Sequence, residues 1–241
     1  MTQLDKAAER GHPSYVWRSG QERRFQMIQQ WIDLDNAVIF DNGCGLGTYL
    51  RRFSEYSPMC FGLEIEHERA VQAIPTGNGV VQAAGETLPF PDKTFDFVFN
   101  NEVIEHVYND IAAMQEMVRV TKKNGRILIF CPNRWYPVEQ HGIYWRGDYK
   151  FGNIPLVNYL PNTLRNKLAP HVRTYSKGAL FKLFAGLPVD VVHYSRIFGG
   201  YDNIEHRFPK LGKTIKKTLY ASEKTPFSIL GISHLLVLQK N

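Results

Sequence analysis

The stretch from Asp41 to Gly47, which reads Asp-Asn-Gly-Cys-Gly-Leu-Gly, decides the fold of this 241-residue chain. It follows a short apolar run, Ala37 to Phe40, and precedes a segment with helical character from about Thr48 to Tyr56. Such an apolar run is typical of a strand that is buried on both faces of a parallel sheet. Glycines between a strand and a helix let the backbone turn sharply and approach a ligand closely, which fits a nucleotide-like ligand.

Strand and helix signals alternate along the chain on both sides of this loop. The further predicted strands are Cys60 to Leu63 with Glu64 at its end, Val80 to Gln82, Phe95 to Phe99, Arg126 to Cys131, Val189 to Tyr194 and Ser233 to Gln239. The further predicted helices are Gln21 to Leu34, Ala112 to Thr121, Ser176 to Ala185 and Pro209 to Tyr220. This alternation predicts an α/β doubly wound sheet whose last two strands pair antiparallel at one edge.

The composition excludes several classes of protein. Hydrophobic residues make up 44% of the chain, which is enough for a core and excludes a largely disordered protein. No run approaches the roughly 18 apolar residues of a spanning helix. Met1 to Tyr15 carries charges where a signal peptide has an apolar segment, so a cytoplasmic location is expected. The three cysteines have no CxxC spacing, which excludes a disulfide framework.

The net charge of +6 is unevenly distributed. Residues 1–131 hold 13 basic and 17 acidic side chains, whereas residues 132–241 hold 16 basic and 6 acidic ones. The predicted basic helix near 209–220 combines an apolar stripe with lysines: Phe208, Leu211, Ile215 and Leu219, and Lys210, Lys213, Lys216 and Lys217. We expect the stripe to dock on the domain with the lysines in solvent; the alternative is peripheral contact with a membrane or an anionic substrate.

The glycine spacing argues against a nicotinamide dinucleotide. That fingerprint requires G-x-G-x-x-G, but counting from Gly43 the last glycine position falls on Thr48. An NAD-dependent oxidoreductase is therefore disfavoured. Glu64 follows Gly47 by seventeen residues and ends the next strand, where its carboxylate can accept hydrogen bonds from both hydroxyls of a ribose.

Four blocks of sequence, in order, resemble the motifs of class I S-adenosylmethionine-dependent methyltransferases, in the branch that includes the ubiquinone and menaquinone biosynthesis enzymes. The blocks are Asp41 to Gly47, Gly62 to Ile65, Leu88 to Val98 and Val103 to Val107, within roughly residues 37 to 135. The resemblance implies a Rossmann-like sheet of seven strands, mostly parallel, with an antiparallel last strand. It also implies S-adenosylmethionine as the cofactor.

The resemblance assigns roles to individual residues. Asp41, Gly43 and Gly45 would hold the methionine end of the cofactor, Glu64 the ribose and Ile65 the adenine, while Asn100 would face the sulfonium. The complete set of expected cofactor-binding residues is Asp41, Gly43, Cys44, Gly45, Gly47, Glu64, Ile65, Glu86, Thr87, Leu88 and Asn100. Where the family usually has an acidic residue for the adenine amino group, this chain has Ala83-Ala84-Gly85, so Glu86 or backbone N–H groups are expected to substitute.

The candidate catalytic residues are Glu102, His106 and His141, which follow predicted strands. Because the cofactor is an activated sulfonium, the protein mainly has to align the acceptor, and a general base helps when the acceptor is a hydroxyl. On a helix, Glu102, Glu105 and His106 would share one face. This segment resembles the magnesium-binding segment of small-RNA 3′-terminal 2′-O-methyltransferases and of a ubiquinone-pathway O-methyltransferase, which implies a Mg²⁺ site with His141 as a further ligand. The alternative is that it holds the helix against the sheet.

Four parts are expected within a single domain. These are a helical cover (1–36), a cofactor-binding half (37–132), a lid or substrate insertion (133–175) and a C-terminal part with a helix, edge strands and the basic helix (176–241). The insertion has the length of a functional loop. Its aromatic residues Trp135, Tyr136, Tyr144 and Trp145 form either an acceptor pocket or a hydrophobic plug. Tyr15, Trp17 and Arg18 either fold over the cofactor or simply pack.

The favoured function is methyl transfer to a small-molecule acceptor, anionic or lipid-like, of the lipid, quinone or sugar-conjugate type. The first alternative is an RNA methyltransferase, which includes a metal-assisted 2′-O enzyme. It is disfavoured because the sequence contains no recognisable RNA-binding module. Residues Asn100 to Val103 also lack the N/D-P-P-Y/F signature of amino methylation. A non-catalytic cofactor-binding protein is a further alternative, disfavoured by the intact glycine loop.

Overall fold

The protein is described by a computed structural model over residues 17–241. The expectations for Met1 to Tyr15 lie outside the described residues. Up to the end of the fifth strand the elements are α1 (Ser19–Gln29), β1 (Ile39–Asn42), α2 (Thr48–Phe53), β2 (Cys60–Glu64), α3 (His67–Ala73), β3 (Gly79–Gln82), β4 (Phe95–Asn101), α4 (Asp110–Val120) and β5 (Thr121–Pro132). A 3-10 turn covers Ile74–Thr76. The sequence analysis missed α3, which buries only Ala70 and Ala73 and so has a weak apolar pattern.

The insertion after β5 contains small elements of its own. In chain order these are β6 (Val138–Glu139), β7 (Ile143–Trp145), β8 (Asp148–Lys150), β9 (Ile154–Pro155), a 3-10 turn (Val157–Tyr159) and α5 (Asn162–Leu168). β6 pairs antiparallel with β9, and β7 pairs antiparallel with β8 as a separate hairpin. The segment is therefore ordered structure, although its elements are too short to produce a periodic sequence signal.

The C-terminal part returns to the main sheet. Its elements are α6 (Lys177–Lys182), β10 (Val189–Ile197), α7 (Asp202–Arg207), α8 (Pro209–Ser222), a 3-10 turn (Pro226–Leu230) and β11 (Ser233–Lys240). α8 corresponds to the predicted basic helix. None of the helices in residues 17–241 combines the length and the apolar character needed to cross a membrane.

The seven-stranded sheet has the order β10-β11-β5-β4-β1-β2-β3. Strands β1 to β5 are parallel to one another, and β11 runs antiparallel to both β5 and β10. This confirms the predicted fold class. Because β1 lies between β2 and β4, the loops at the carboxyl ends of these three strands meet at one edge, where ligands bind in open α/β sheets.

Both faces of the sheet are covered, which explains the continuous apolar runs. Phe95 and Val98 of β4 pack into the cluster on one face with Met114 and Met117 of α4. Phe97, Phe99 and Phe130 belong to the cluster on the other face, together with Phe25, Ile28 and Phe53 from α1 and α2. Since side chains alternate between the two faces of a strand, a strand that is buried on both faces is apolar along most of its length.

The prediction for the basic helix was wrong in one respect. Phe208 and Leu211 of the apolar stripe are 53% and 55% exposed, whereas Gly212 and Lys216 are buried. A Cβ atom on Gly212 would lie 2.4 Å from Cα of Glu205, so the glycine permits α7 and α8 to pack closely. Lys216 then reaches Glu205 at 2.5 Å and Asp202 at 3.3 Å. The helix thus docks through a glycine and an ion-pair network, and part of its apolar stripe faces solvent.

Candidate functional site

The glycine loop at the end of β1 wraps around the end of β2. The backbone N–H groups of Gly43 and Cys44 both donate to the carbonyl oxygen of Leu63, at 2.9 and 2.8 Å. Gly43 has a φ of 91°, and a Cβ atom there would lie 2.3 Å from a methyl group of Val103. Gly45 has a φ of 56°, but a Cβ atom there would meet nothing within 4 Å. The loop therefore packs tightly at Gly43 and faces open space at Gly45.

Glu64 is tied to this open part of the loop. One of its carboxylate oxygens accepts the N–H of Gly45 at 2.9 Å, and the other accepts the N–H of Glu66 at 2.9 Å. A carboxylate has about four lone-pair sites, so acceptor capacity remains for a bound ligand. Ile65, the next residue, is 63% exposed. The structure thus brings the predicted ribose acceptor, the predicted adenine contact and the open loop together.

Asp41 lies beneath the loop and is only 2% exposed. Burial, reinforced by the nearby charge of Glu64, raises the pKa of Asp41 to about 8. Two carboxyl groups beside an open glycine loop disfavour an anionic pyrophosphate and favour a ligand that carries positive charge. Cys44 is also buried, and burial raises the pKa of its thiol, so it is a packing residue and not a nucleophile.

Most of the remaining predicted cofactor residues already have hydrogen-bond partners within the protein. Glu86 accepts the N–H of Asn109 at 3.0 Å, and the N–H of Leu88 donates to Glu116, so these groups already have partners. Asn100 uses both side-chain atoms within the protein, bonding Asn42 and Ile104. The side-chain oxygen of Asn42 is buried and has no hydrogen-bond partner within residues 17–241. Thr87 is exposed at the same edge, and Gly47 caps α2 with a φ of 75°.

The segment after β4 is not a helix, contrary to the sequence expectation. Residues 102–108 form turns, and Glu102 has a left-handed φ of 55°. Glu102 accepts hydrogen bonds from Arg24 at 2.7 Å and from the Ser233 hydroxyl at 2.8 Å. Burial opposes ionisation of Glu102 and would raise its pKa. The charge of Arg24 and the hydrogen bond from Ser233 outweigh this effect, so the pKa of Glu102 is lowered. Glu102 is therefore an ionised side chain that is held by α1 and β11.

The turn places Glu105 and His106 beside His141 from the insertion. Each of the three residues offers one potential ligand atom, and these atoms lie within 4.8 Å of one another. The Glu105 side chain is fully buried, and neither of its oxygens has a hydrogen-bond partner within the described part of the chain. Burial and the charge of Glu102 raise its pKa well above the ordinary value. Glu102 itself does not belong to this cluster.

The two histidines are oriented through their Nδ1 atoms. Nδ1 of His106 lies 3.1 Å from the carbonyl oxygen of His171, which can only accept, so Nδ1 carries the proton and Nε2 keeps a lone pair. Burial and the neighbouring His141 lower the pKa of His106 to about 4. His141 Nδ1 lies 3.0 Å from Glu139. The two imidazole ring centroids are 5.2 Å apart.

Glu139 and Arg165 form a buried ion pair that the sequence analysis missed. The two side chains are each 1% exposed, and their charged atoms are 2.8 Å apart. Glu139 also accepts the backbone N–H of His141. Burial opposes ionisation of Glu139 and would raise its pKa. Its interactions with His141 and Arg165 outweigh this effect and lower the pKa of Glu139 to about 2. The E-x-H spacing of Glu139 and His141 was visible in the sequence, whereas Arg165 had no local signal.

The aromatic residues of the insertion are partly exposed, and one of them, Tyr144, lies near this cluster. Trp135, Tyr144 and Trp145 are 45%, 41% and 48% exposed, and Tyr144 lies edge-on to His171. Tyr136 is more enclosed and contacts Tyr201. In the N-terminal segment, Trp17 packs edge-on against Phe25 and Tyr49. Trp17 is thus part of the packing around α1, and Tyr15 lies outside the described residues.

Comparison with known proteins identifies the central part of the chain. Residues 40–129 match the family of methyltransferase domains. This segment is therefore similar to a methyltransferase domain. The fold is shared with an S-adenosylmethionine-dependent methyltransferase from Mesorhizobium loti, which superposes with a TM-score of 0.64 at 14% identity, covering 90% of this chain and 97% of that one.

Two curated relatives show how far the sequence similarity extends. An uncharacterised protein of Methanocaldococcus jannaschii is 37% identical over 113 residues, which are 42% of this chain and 55% of the relative. The ubiquinone/menaquinone biosynthesis C-methyltransferase of Cupriavidus metallidurans is 27% identical over 123 residues, or 48% of each chain. The chain thus spans about half the length of these relatives.

The buried Asp41 carboxyl makes a prediction about stability. Because its pKa is raised to about 8 on folding, the folded state holds a proton that the unfolded state releases between about pH 4 and pH 8. The contribution of Asp41 to stability therefore falls as the pH rises through this window. Asp41→Asn cannot ionise, so its free energy of unfolding should increase relative to that of the wild type from about pH 5 to about pH 8. Urea unfolding at several pH values measures this difference, and a difference that is independent of pH would contradict the burial of a protonated Asp41.

Proposed function

We propose that this protein is an S-adenosylmethionine-dependent methyltransferase that acts on a small molecule. The observation that carries the proposal is the open space over Gly45, bordered by the Glu64 carboxylate and the exposed Ile65. The fit to the cofactor is chemical as well as spatial. S-adenosylmethionine carries a sulfonium and an ammonium group, and Asp41 and Glu64 supply negative or ionisable groups at the same edge.

The predicted residues at the open part of the loop have tasks in this proposal. Glu64 accepts the ribose hydroxyls, Ile65 packs on the adenine, and the backbone around Gly43 and Gly45 holds the methionine end. The unpartnered oxygen of Asn42 lies at the same strand end and accepts a hydrogen bond from the ligand. The cofactor supplies a methyl group that is already activated on sulfur. The protein therefore contributes alignment and exclusion of water.

On the acceptor side, we propose that His141 takes the proton when the acceptor is protic. Its partner Glu139 is held by Arg165, so the imidazole has a defined orientation. His106 is less suited to this role, because a group whose pKa is lowered to about 4 is a weak base near neutral pH. Glu102 is also less suited, since Arg24 and Ser233 already bind its carboxylate. The exposed aromatic side chains of the insertion favour an acceptor with an apolar or ring-shaped part, of the lipid, quinone or sugar-conjugate type.

The cluster of Glu105, His106 and His141 favours an alternative role for this site, which is to hold a divalent cation; Nε2 of His141 would then be a ligand of the cation and would not take the proton. The two buried oxygens of Glu105 lack partners, and a cation would supply the missing charge. Both histidines have Nδ1 bound to an oxygen, as histidine ligands of metals usually do. Two imidazoles and one carboxylate suit zinc, iron or manganese better than magnesium. The proposal thus keeps Glu105, His106 and the further ligand His141 of the predicted Mg²⁺ site, omits Glu102, and changes the expected metal.

A bound cation would polarise and orient an oxygen of the acceptor. Glu139 and Arg165 would then act through His141, because they determine how its ring is presented. The backbone of the turn also keeps the cluster in place, because the carbonyl oxygen of Glu105 accepts a hydrogen bond from the N–H of Arg173 at 3.0 Å.

Titration calorimetry tests cofactor binding. Glu64→Ala should weaken S-adenosylmethionine binding about tenfold or more, because hydrogen bonds to a charged group contribute about 1.5–3 kcal/mol. Ile65→Ser should weaken it with little effect on stability, since Ile65 is 63% exposed. Glu55→Ala is the matched control, because its side chain is 53% exposed and pairs with Arg52 at the surface. Binding of NAD in place of S-adenosylmethionine, or no effect of Glu64→Ala, would contradict the assignment.

Calorimetry with Zn²⁺, Mn²⁺ and Mg²⁺ tests the cation role. We expect His106→Ala and His141→Ala to abolish high-affinity binding of Zn²⁺ or Mn²⁺. We expect Glu139→Gln to weaken it about 10- to 100-fold, as loss of a partner of a ligand does. His193→Ala, which stacks on Trp31 away from the cluster, is the control. Equal affinity in the wild type and in His141→Ala would show that the cluster does not bind a cation. Methyl transfer that survives chelation would show that the reaction does not need one.

A further inference from the structure

The surface of α7 and α8 combines exposed apolar side chains with exposed cations. Ile204, Phe208 and Leu211 are 39%, 53% and 55% exposed. The exposed cations of the same segment are Arg207, Lys210, Lys213, Lys217 and Lys224. We call these eight residues the basic-apolar face. It exists because α8 docks through Gly212 and Lys216, which leaves the front of its apolar stripe in solvent.

The charge of this face is not compensated by its own acidic residues. Residues 202–224 contain three carboxylates, and all three are turned toward interior partners. Asp202 and Glu205 pair with Lys216, and Glu223 pairs with Arg23 of α1. None of the five exposed cations forms an ion pair with any residue in 17–241. The outward-facing charge of the segment is therefore wholly positive.

The apolar part of the face continues beyond the helix. Phe227, in the 3-10 turn that follows α8, is 69% exposed, and Ile229 and Leu230 are 43% and 38% exposed. Single exposed apolar side chains are common, but a series of them beside unpaired lysines and arginines is the composition of helices that lie in a membrane interface. There the long lysine side chains reach the headgroups while the apolar ones enter the boundary of the acyl chains.

The face is rigidly joined to the acceptor side of the proposed active site. The guanidinium of Arg23 lies 3.7 Å from the ring centroid of Tyr220, and Lys216 donates to Ser19 at 2.8 Å. Both contacts fix α8 on α1. The next residue of α1, Arg24, donates to Asn101 and Glu102 at the end of β4. One helix therefore connects the exposed face to the turn that carries Glu105 and His106.

We propose that the basic-apolar face docks on the surface of an anionic lipid bilayer. The cations bind the headgroup phosphates, and Phe208 and Leu211 enter the interface. Charge complementarity selects this occupant: a second copy of the chain would present the same positive charge to itself. Docking would bring the acceptor side of the domain to the membrane, which suits a lipid-like acceptor. The docking itself does not depend on methyl transfer.

Co-sedimentation with vesicles tests the proposal with the whole chain. The protein should bind vesicles of equal parts phosphatidylcholine and phosphatidylglycerol, bind phosphatidylcholine vesicles much more weakly, and dissociate in high salt. The double variant Lys213→Glu/Lys217→Glu should lower the vesicle partition coefficient by more than about tenfold, since each basic residue near an anionic surface contributes roughly fivefold. Phe208→Ser/Leu211→Ser should lower it by about fivefold or more.

Matched controls lie elsewhere on the surface. Lys123→Glu changes an exposed lysine next to the turn in β5, and Val71→Ser changes a side chain of α3 that is 50% exposed. Both should bind vesicles as the wild type does. The thermal midpoint and the affinity for S-adenosylmethionine should be unchanged in all these variants. This separates docking from misfolding, and a failure of cofactor binding in the wild type would leave the vesicle result standing on its own.

Three results would overturn the proposal. The first is vesicle binding that does not depend on phosphatidylglycerol or on the face variants. The second is a dimer in sedimentation equilibrium that Phe208→Ser/Leu211→Ser dissociates, without vesicle binding, which would assign the face to self-association. The third is binding of single-stranded RNA that Lys213→Glu/Lys217→Glu abolishes, again without vesicle binding, which would assign it to nucleic acid.

Discussion

The arrangement of two carboxyl groups, Asp41 and Glu64, at the ends of neighbouring parallel strands is the constraint on which the rest of the site depends. The glycine loop is held on the end of β2 because Glu64 accepts the N–H of Gly45 and the carbonyl oxygen of Leu63 accepts those of Gly43 and Cys44. Asp41 is buried so close by that its ionisation is suppressed. A cationic ligand relieves this repulsion, whereas a pyrophosphate would add to it. A loop of the same geometry that bound the pyrophosphate of a dinucleotide would require positive charge where this site has two carboxyl groups.

Much of the fold was predictable because its signals are local. Apolar runs such as Cys60 to Leu63 and Phe95 to Phe99 indicated strands buried on both faces, and the glycines after β1 indicated the tight loop. The expected helix at Glu102 to His106 was wrong because the structure needs a left-handed residue at Glu102, which lets its carboxylate reach Arg24 and Ser233. These partners are 78 and 131 residues away in sequence, so no spacing rule could reveal them.

On the acceptor side, too, contacts between residues far apart in sequence could not be predicted. His141 was identified from its position after the fifth strand, but its orientation depends on the buried Glu139–Arg165 pair within the insertion. Such a pair is costly unless its geometry is well satisfied, which Arg165 achieves by donating also to the carbonyl of Val172. The acidic residues 1–131 and the basic remainder are joined by ion pairs of Arg23 with Glu223 and of Arg173 with Asp110. The positive charge left over is the part that faces outward on α8.

The central claim is that the protein transfers a methyl group from S-adenosylmethionine to a small molecule. Incubation with methyl-labelled cofactor and cell extract, followed by separation of the organic, small aqueous, RNA and protein fractions, tests it most directly. The account predicts label in the organic or small aqueous fraction, and loss of that label in Glu64→Ala. Label confined to RNA or protein, or no label in any fraction although the cofactor binds, would contradict it.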